Sequence, residues 1–180
     1  DLGQTVAQAS WRNGALTAGL QGSQIYNGTA TGQVRLRQST AGTGSGSGLD
    51  ASIDLSGVDA GVVLADLLGV DQIQGVTTLS LRNLSTQGPT LQDWMSGLNG
   101  QFTAQLDPLA FLGLDFLASL QNLENGQFSA VQGPNTATRF KRVGLTGNIV
   151  NGEATIDNLS ADLGDFDVAG LGKINIGLQR

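Results

Sequence analysis

The sequence predicts a mainly β domain with three short helices, built as a curled, largely antiparallel sheet of about ten strands that forms a groove or a partly closed barrel. Three observations lead there. The 180 residues include 27 Gly and 39% hydrophobic side chains but only 5% aromatics, which suits many short strands and turns better than a helical bundle. Asn-Gly occurs at Asn13, Asn27, Asn99, Asn125 and Asn151, and because both residue types tolerate positive φ, the pair is the strongest short-range hairpin signal. Segments in which apolar and polar residues alternate follow all of these pairs but that at Asn125, each reading as a strand with one wet face.

Taken in chain order, GALTAGL places Leu16 and Leu20 on one face, and GTATGQVRLRQ places Val34 and Leu36 there. The Gly/Ser-rich run from Ser39 to Asp50 is flexible linker chemistry and reads as a mobile loop inside a single domain, 1–180. LDASIDLS aligns Ala51, Ile53 and Leu55. VDAGVVLADLLGV switches to the helical period, with Val63, Leu64, Leu67 and Leu68 on one stripe and Gly69 as its left-handed terminator. VTTLSLRNL returns to period two with Leu79 and Leu81. In PTLQDWMSGLNGQFTAQLD, Thr90 caps a second helix and Asp93 completes a short form of the capping box. Leu91, Trp94, Met95 and Leu98 form its stripe, and a strand bearing Phe102, Ala104 and Leu106 follows. A third helix is expected with Asp107 as cap and Pro108 at its first position, apolar on nearly every side and carrying Phe111 and Phe116. The remaining strands are QFSAV, RVGLTGNIV (Val143, Leu145, Ile149), GEATIDNL (Ala154, Ile156), FDVAGL and KINIGL (Ile174, Ile176, Leu178).

Composition narrows the function classes. Cys and His are both absent, which removes thiol nucleophiles, thiolate metal sites and the commonest general base near neutral pH. Ser and Thr are abundant, but Lys141 and Lys173 fall on expected strands and leave no evident base for a hydroxyl nucleophile. No Gly-rich phosphate loop joins a strand to a helix. Asp162, Asp165 and Asp167 lie close together, yet lack the further oxygen donors and the Gly of a calcium loop, so they read as a solvated turn. The chain is thus expected to be non-enzymatic, without cofactor or metal. A net charge of -6 with only 13% charged residues argues against nucleic-acid binding, and RFKR at Arg139 to Arg142 reads as a strand with exposed cations. The greasiest run, Leu109 to Leu120, contains Asp115 and is shorter than the ~20 residues that span a bilayer. Beginning at Asp1 without a signal region, the sequence reads as an excised domain or processed product.

The apolar faces ask for a use. Ten six-residue strands at ~4.8 Å spacing give a face on the order of 950 Å², and three ten-residue helices cover only ~450 Å² of it. The remainder must close into a sandwich or barrel core, pack on a partner, or hold an apolar ligand.

The order of these parts resembles the C-terminal region of the AsmA-like family of Gram-negative envelope proteins. The resemblance runs from Asn13 to Leu178 through GALTAGLQGSQIYNGTATGQVRL, ASIDLSGVDAGVVLADLLGVDQIQGVTTLSL, GPTLQDWMSGLNGQF, LGLDFLASL, TATRFKRVGLTGNIVNGEATIDNL and VAGLGKINIGL. It departs where the family often has Asp-Gly before the third helix and this chain has Asp107-Pro108. The resemblance implies a periplasmic domain whose full-length parent is anchored in the inner membrane. It also implies a role in outer-membrane biogenesis, with an apolar β-groove that carries phospholipid acyl chains between membranes. The lining expected on that reading is Leu36, Ile53, Leu79, Leu81, Phe102, Leu106, Val143, Leu145 and Ile149, with Trp94, Met95, Phe111 and Phe116 as helix plugs. The alternative is a structural module with a closed core that docks other envelope proteins by its sheet edge.

Overall fold

The computed structural model describes residues 6–39, 46–68, 71–127, 129–164 and 166–175. The elements run β1 (Ala7–Arg12), β2 (Ala15–Ile25), β3 (Gly28–Ser39), β4 (Gly46–Asp59), α1 (Ala60–Leu68), β5 (Ile73–Gly88) and α2 (Leu91–Ser96). They continue with β6 (Asn99–Asp115), α3 (Phe116–Glu124), β7 (Val131–Phe140), β8 (Arg142–Val150), β9 (Glu153–Asp162) and β10 (Asp167–Asn175). All ten strands lie in one antiparallel sheet, ordered β1-β2-β3-β4-β5-β6-β8-β9-β10 with β7 also on β6. The sheet curls but does not close. It is the groove form of the expected fold rather than a barrel.

The strand boundaries depart from the sequence reading in instructive places. The expected strands FDVAGL and KINIGL are largely one, β10, while Ile176 and Leu178 lie outside the described residues. QFSAV is not a strand before Val131, and its Phe128 is outside the described residues, as are Gly69 and Asp165. β1 and most of β7 have no counterpart in the reading. Of the loop expected from Ser39 to Asp50, Ser39 belongs to β3 and Gly46 to Asp50 to β4, pairing for instance Leu49 with Leu36, while residues 40–45 lie outside the described residues.

The third helix begins eight residues later than its Asp107-Pro108 signal. Leu109 to Phe111 are strand, paired with Gly75 to Ile73 on one side and with Phe140 to Thr138 on the other. A run that is apolar all round has neither helical nor strand period, so the two neighbouring backbones decide its state. The helix starts after Asp115, whose Oδ1 accepts from Ala118 N at 3.0 Å. Thr138 secures the junction, its buried Oγ1 accepting from Phe116 N at 2.8 Å and donating to Leu114 O at 2.7 Å.

β6 is long enough to carry two partners in line. β8 takes Gly100 to Leu106 and β7 takes Leu109 to Asp115, so β7 and β8 form one interrupted strand opposite the cis Asp107-Pro108 bond. RFKR is that interruption rather than a continuous strand: Lys141 stands between the two strands, and Arg142 Nη2 meets Asp107 Oδ2 at 3.3 Å.

The Asn-Gly pairs do different jobs. Asn13-Gly14 and Asn151-Gly152 are two-residue hairpin loops with both φ positive, the mirror-image turn whose twist suits flanking strands. At Asn27 the loop is Tyr26-Asn27, and Gly28 has already joined β3. Asn125-Gly126 ends α3, and Asn99-Gly100 opens β6.

The capping box of α2 is present as read. Asp93 N donates to Thr90 Oγ1 and Thr90 N to Asp93 Oδ2, both at 3.1 Å. Thr90→Ala is expected to cost about 1 kcal/mol, measured by urea unfolding. Leu91 departs from the stripe expected for this helix and is 73% exposed, whereas Trp94 and Met95 are half-buried.

Candidate functional site: an uncovered apolar face

Strand alternation and register together sort the side chains into one apolar and one polar face. The central row runs Leu20, Gly32, Ile53, Leu81, Phe102, Gly147, Ile156 across β2 to β9. Beside it lies Ala30, Leu55, Leu79, Ala104, Leu145, Leu159, and beyond that Val58, Thr77, Leu106, Val143, Ala161. On the other side Val34, Ala51 and Leu84 lead through Gly100 to Ile149 and Ala154, and a terminal row holds Trp11, Leu16, Leu36, Leu49 and Thr86. All nine residues expected to line a groove fall in these rows. No charged residue does.

Small residues are interleaved with large ones. A Cβ on Gly147 would lie 2.8 Å from Phe102 Cε1, so the absence of a side chain there lets the phenyl ring lie across the neighbouring strand. Gly100 does the same for Leu84, whose Cδ2 would be 2.6 Å from a Cβ.

Nothing described lies over the middle of this face. Strands averaging about eleven residues, nine abreast, make it roughly 1,600 Å², while helices of six and nine residues cover about 360 Å² at most. Longer strands and shorter helices than expected enlarge the uncovered part. The burial agrees: the buried apolar residues are mostly alanines, Val58 is the largest side chain fully buried, and the leucines of the rows are half-buried. Among the described residues there is no second sheet, so they do not form the closed sandwich core allowed by the sequence.

The helices sit at the two ends. α2, at the far end of β5, closes over Thr86, whose buried Oγ1 donates to Trp94 O at 2.7 Å, while Trp94 Nε1 donates to Gly88 O at 3.0 Å. Gly152 N donates to Leu98 O at 2.9 Å and ties the β8–β9 hairpin to the same end. α1 and α3 adjoin the other end, where Asp59 Oδ1 accepts from Val62 N at 3.2 Å. Trp94, Met95 and Phe116 therefore belong to terminal helices. Phe111 does not: it is a β6 residue, 36% exposed.

The polar face carries the charges. Arg37 meets Asp50 and Arg82 meets Asp54, each at 2.6 Å, and Lys173 meets Glu153 at 2.7 Å. These exposed pairs add little stability, but they keep that side wet. Asp162 Oδ1 accepts from Gly164 N at 2.7 Å, a local turn. Among the described residues no cluster of three potential metal ligands occurs, and no helix is long and apolar enough to cross a membrane.

Tyr26, the chain's sole tyrosine, is half-buried at the α1 end. Its desolvation and a hydrogen bond to the nearby Asp66 carboxylate raise the phenol's pKa above the ordinary 10.0. The fold thus favours the neutral phenol, so this contribution to stability is present below pH 10 and lost as pH rises through the folded value. Ultraviolet titration should show a midpoint above 10, moved down by Asp66→Asn.

Leu84 and Leu159 also belong to the face, although strict alternation along their strands puts them on the other side. Asn83, at φ 51, inserts a residue into β5, and a register shift at Thr146/Gly147 does so in β9, so alternation changes phase beyond each. Asn83 itself was the available signal for the first; the second has none.

The fold and its face define an open, single-layered antiparallel β domain with one apolar and one polar side. No family model, curated protein or solved structure matches the chain.

Proposed function

We propose that this is the C-terminal domain of an AsmA-like envelope protein, and that its apolar face binds phospholipid acyl chains in the periplasm during their passage between inner and outer membranes. One observation carries the reading: an uncharged apolar face of ten strands with no described residue layered over its middle. An exposed patch of this extent in water is an aggregation hazard unless a ligand or partner occupies it. Acyl chains suit it because they need no directional bonds and gain ~0.8 kcal/mol per buried CH₂. The mechanism is passive. Side chains along the rows offer a continuous apolar strip, the glycines let neighbouring side chains such as Phe102 and Leu84 lie flat across it, and no residue acts chemically.

The test is native mass spectrometry of the chain purified from a Gram-negative periplasm. Phospholipid is expected to remain bound. A stable, monodisperse and lipid-free protein would overturn the reading.

A docking role is favoured by a different observation: among the described residues, nothing pairs with the outer edges of β1 and β10. Its occupant would be another β-strand rather than a lipid.

A further inference from the structure

The two edges of the sheet are not equivalent. β10 carries devices that discourage pairing: a register shift between Gly170 and Gly172, and Lys173 close by. β1 carries neither. It is unbroken over six residues, all exposed, with its one charge, Arg12, at the end. Among the described residues nothing pairs with its outer side.

The polarity of that edge follows from one bond. Val6 O accepts from Gln21 N at 2.9 Å, so Val6 faces β2. By antiparallel alternation, Ala7, Ala9 and Trp11 then point their N–H and C=O groups away from the sheet. The same three side chains lie on the apolar face, where Trp11 is 65% exposed.

We propose that β1 is the two-fold interface of a homodimer, pairing antiparallel with β1 of a second copy. A register centred on Ala9 sets Ala9 against Ala9 of the partner subunit and Ala7 against the partner subunit's Trp11. Every outward N–H and C=O of both strands is then bonded. The large indole faces a methyl group, and on the polar side Gln8 opposes Ser10 and Arg12 opposes Val6, so no like charges meet. The interface is isologous, and it joins the two apolar faces into one. A single six-residue strand pair buries less than a standard interface, so the dimer is expected in the micromolar range rather than tighter. The inference is independent of the lipid reading, since it concerns the edge and not the face.

Sedimentation velocity of the full 180-residue chain, from low micromolar to several hundred micromolar, is the test. The mass should rise from 18.5 kDa toward twice that value. Ala9→Pro removes an outward N–H that β2 does not use and is tolerated on an edge, so it should give a monomer with unchanged far-ultraviolet circular dichroism. Ala9→Lys sets like charges across the axis and should also give a monomer, while mixing it with Ala9→Glu should restore dimers. A wild type that stays monomeric throughout, leaving the edge to a strand of another protein, would overturn the proposal. So would a dimer that persists in both Ala9→Pro and Ala9→Lys, or a Lys/Glu mixture that fails to associate.

Discussion

Phe102→Glu is expected to abolish retention of phospholipid while leaving the domain folded. Phe102 sits at the centre of the apolar face, half-buried, between Leu81 and Gly147. Its ring provides contact for several methylenes of a bound chain. Losing three or four of them at ~0.8 kcal/mol each amounts to about 3 kcal/mol, or roughly a hundredfold in affinity. The fold should survive because the new carboxylate remains in water on an uncovered face, so the cost is the lost ring contact, about 1–2 kcal/mol. Leu81→Glu should behave alike. The two measurements are lipid content by native mass spectrometry and thermal unfolding of the delipidated proteins. Unfolding of both variants would mean that a covered core surrounds these residues, since an unpaired buried carboxylate is expensive. Folded variants that keep their lipid would mean that the chain lies elsewhere.

Gly28→Ala is expected to be strongly destabilising for so small a change. A Cβ there would lie 2.5 Å from Ser56 O and 2.6 Å from both Gly57 C and Val58 N. All three are backbone atoms of β4, at the bulge where Gly57 takes φ 66 and beside fully buried Val58, so none can swing aside as a flexible side chain would. Separating β3 from β4 there should cost about 3 kcal/mol. In a chain of this size that lowers Tm by roughly 6–12 °C. Gly14→Ala is the control: its φ is 73, but nothing lies within 4 Å of the new atom, so only the left-handed penalty of about 1 kcal/mol applies. Equal losses in the two variants would show that close approach at Gly28 is not what destabilises.

Both experiments bear on features that differ in how far the sequence discloses them. That the nine expected residues share one face was legible because alternation has a period of two within each strand, and the register shifts fall where they leave these nine in phase. The capping box was legible because it is local, its two bonds spanning three residues. What escaped the reading turns on distant contacts. Leu109 to Phe111 resemble a helix until Ile73 to Gly75 and Thr138 to Phe140 bracket them. Gly28, Gly100 and Gly147 look like turn or linker residues, yet in the fold each makes room for an atom of an adjacent or nearby strand.

The sequence by itself determined that this is a one-sided antiparallel β domain with three short helices, the second capped at Thr90, without Cys or His, and with more apolar face than its helices could cover. It determined so much because alternation, turn residues and caps act over a few residues and need no knowledge of neighbours. Only the tertiary structure decided that the sheet remains a single open layer, that its helices gather at the ends, and that β1 is the unguarded edge. Those outcomes depend on which strands become neighbours, and pairing across long separations is set by the summed register of whole strands rather than by any short stretch within them.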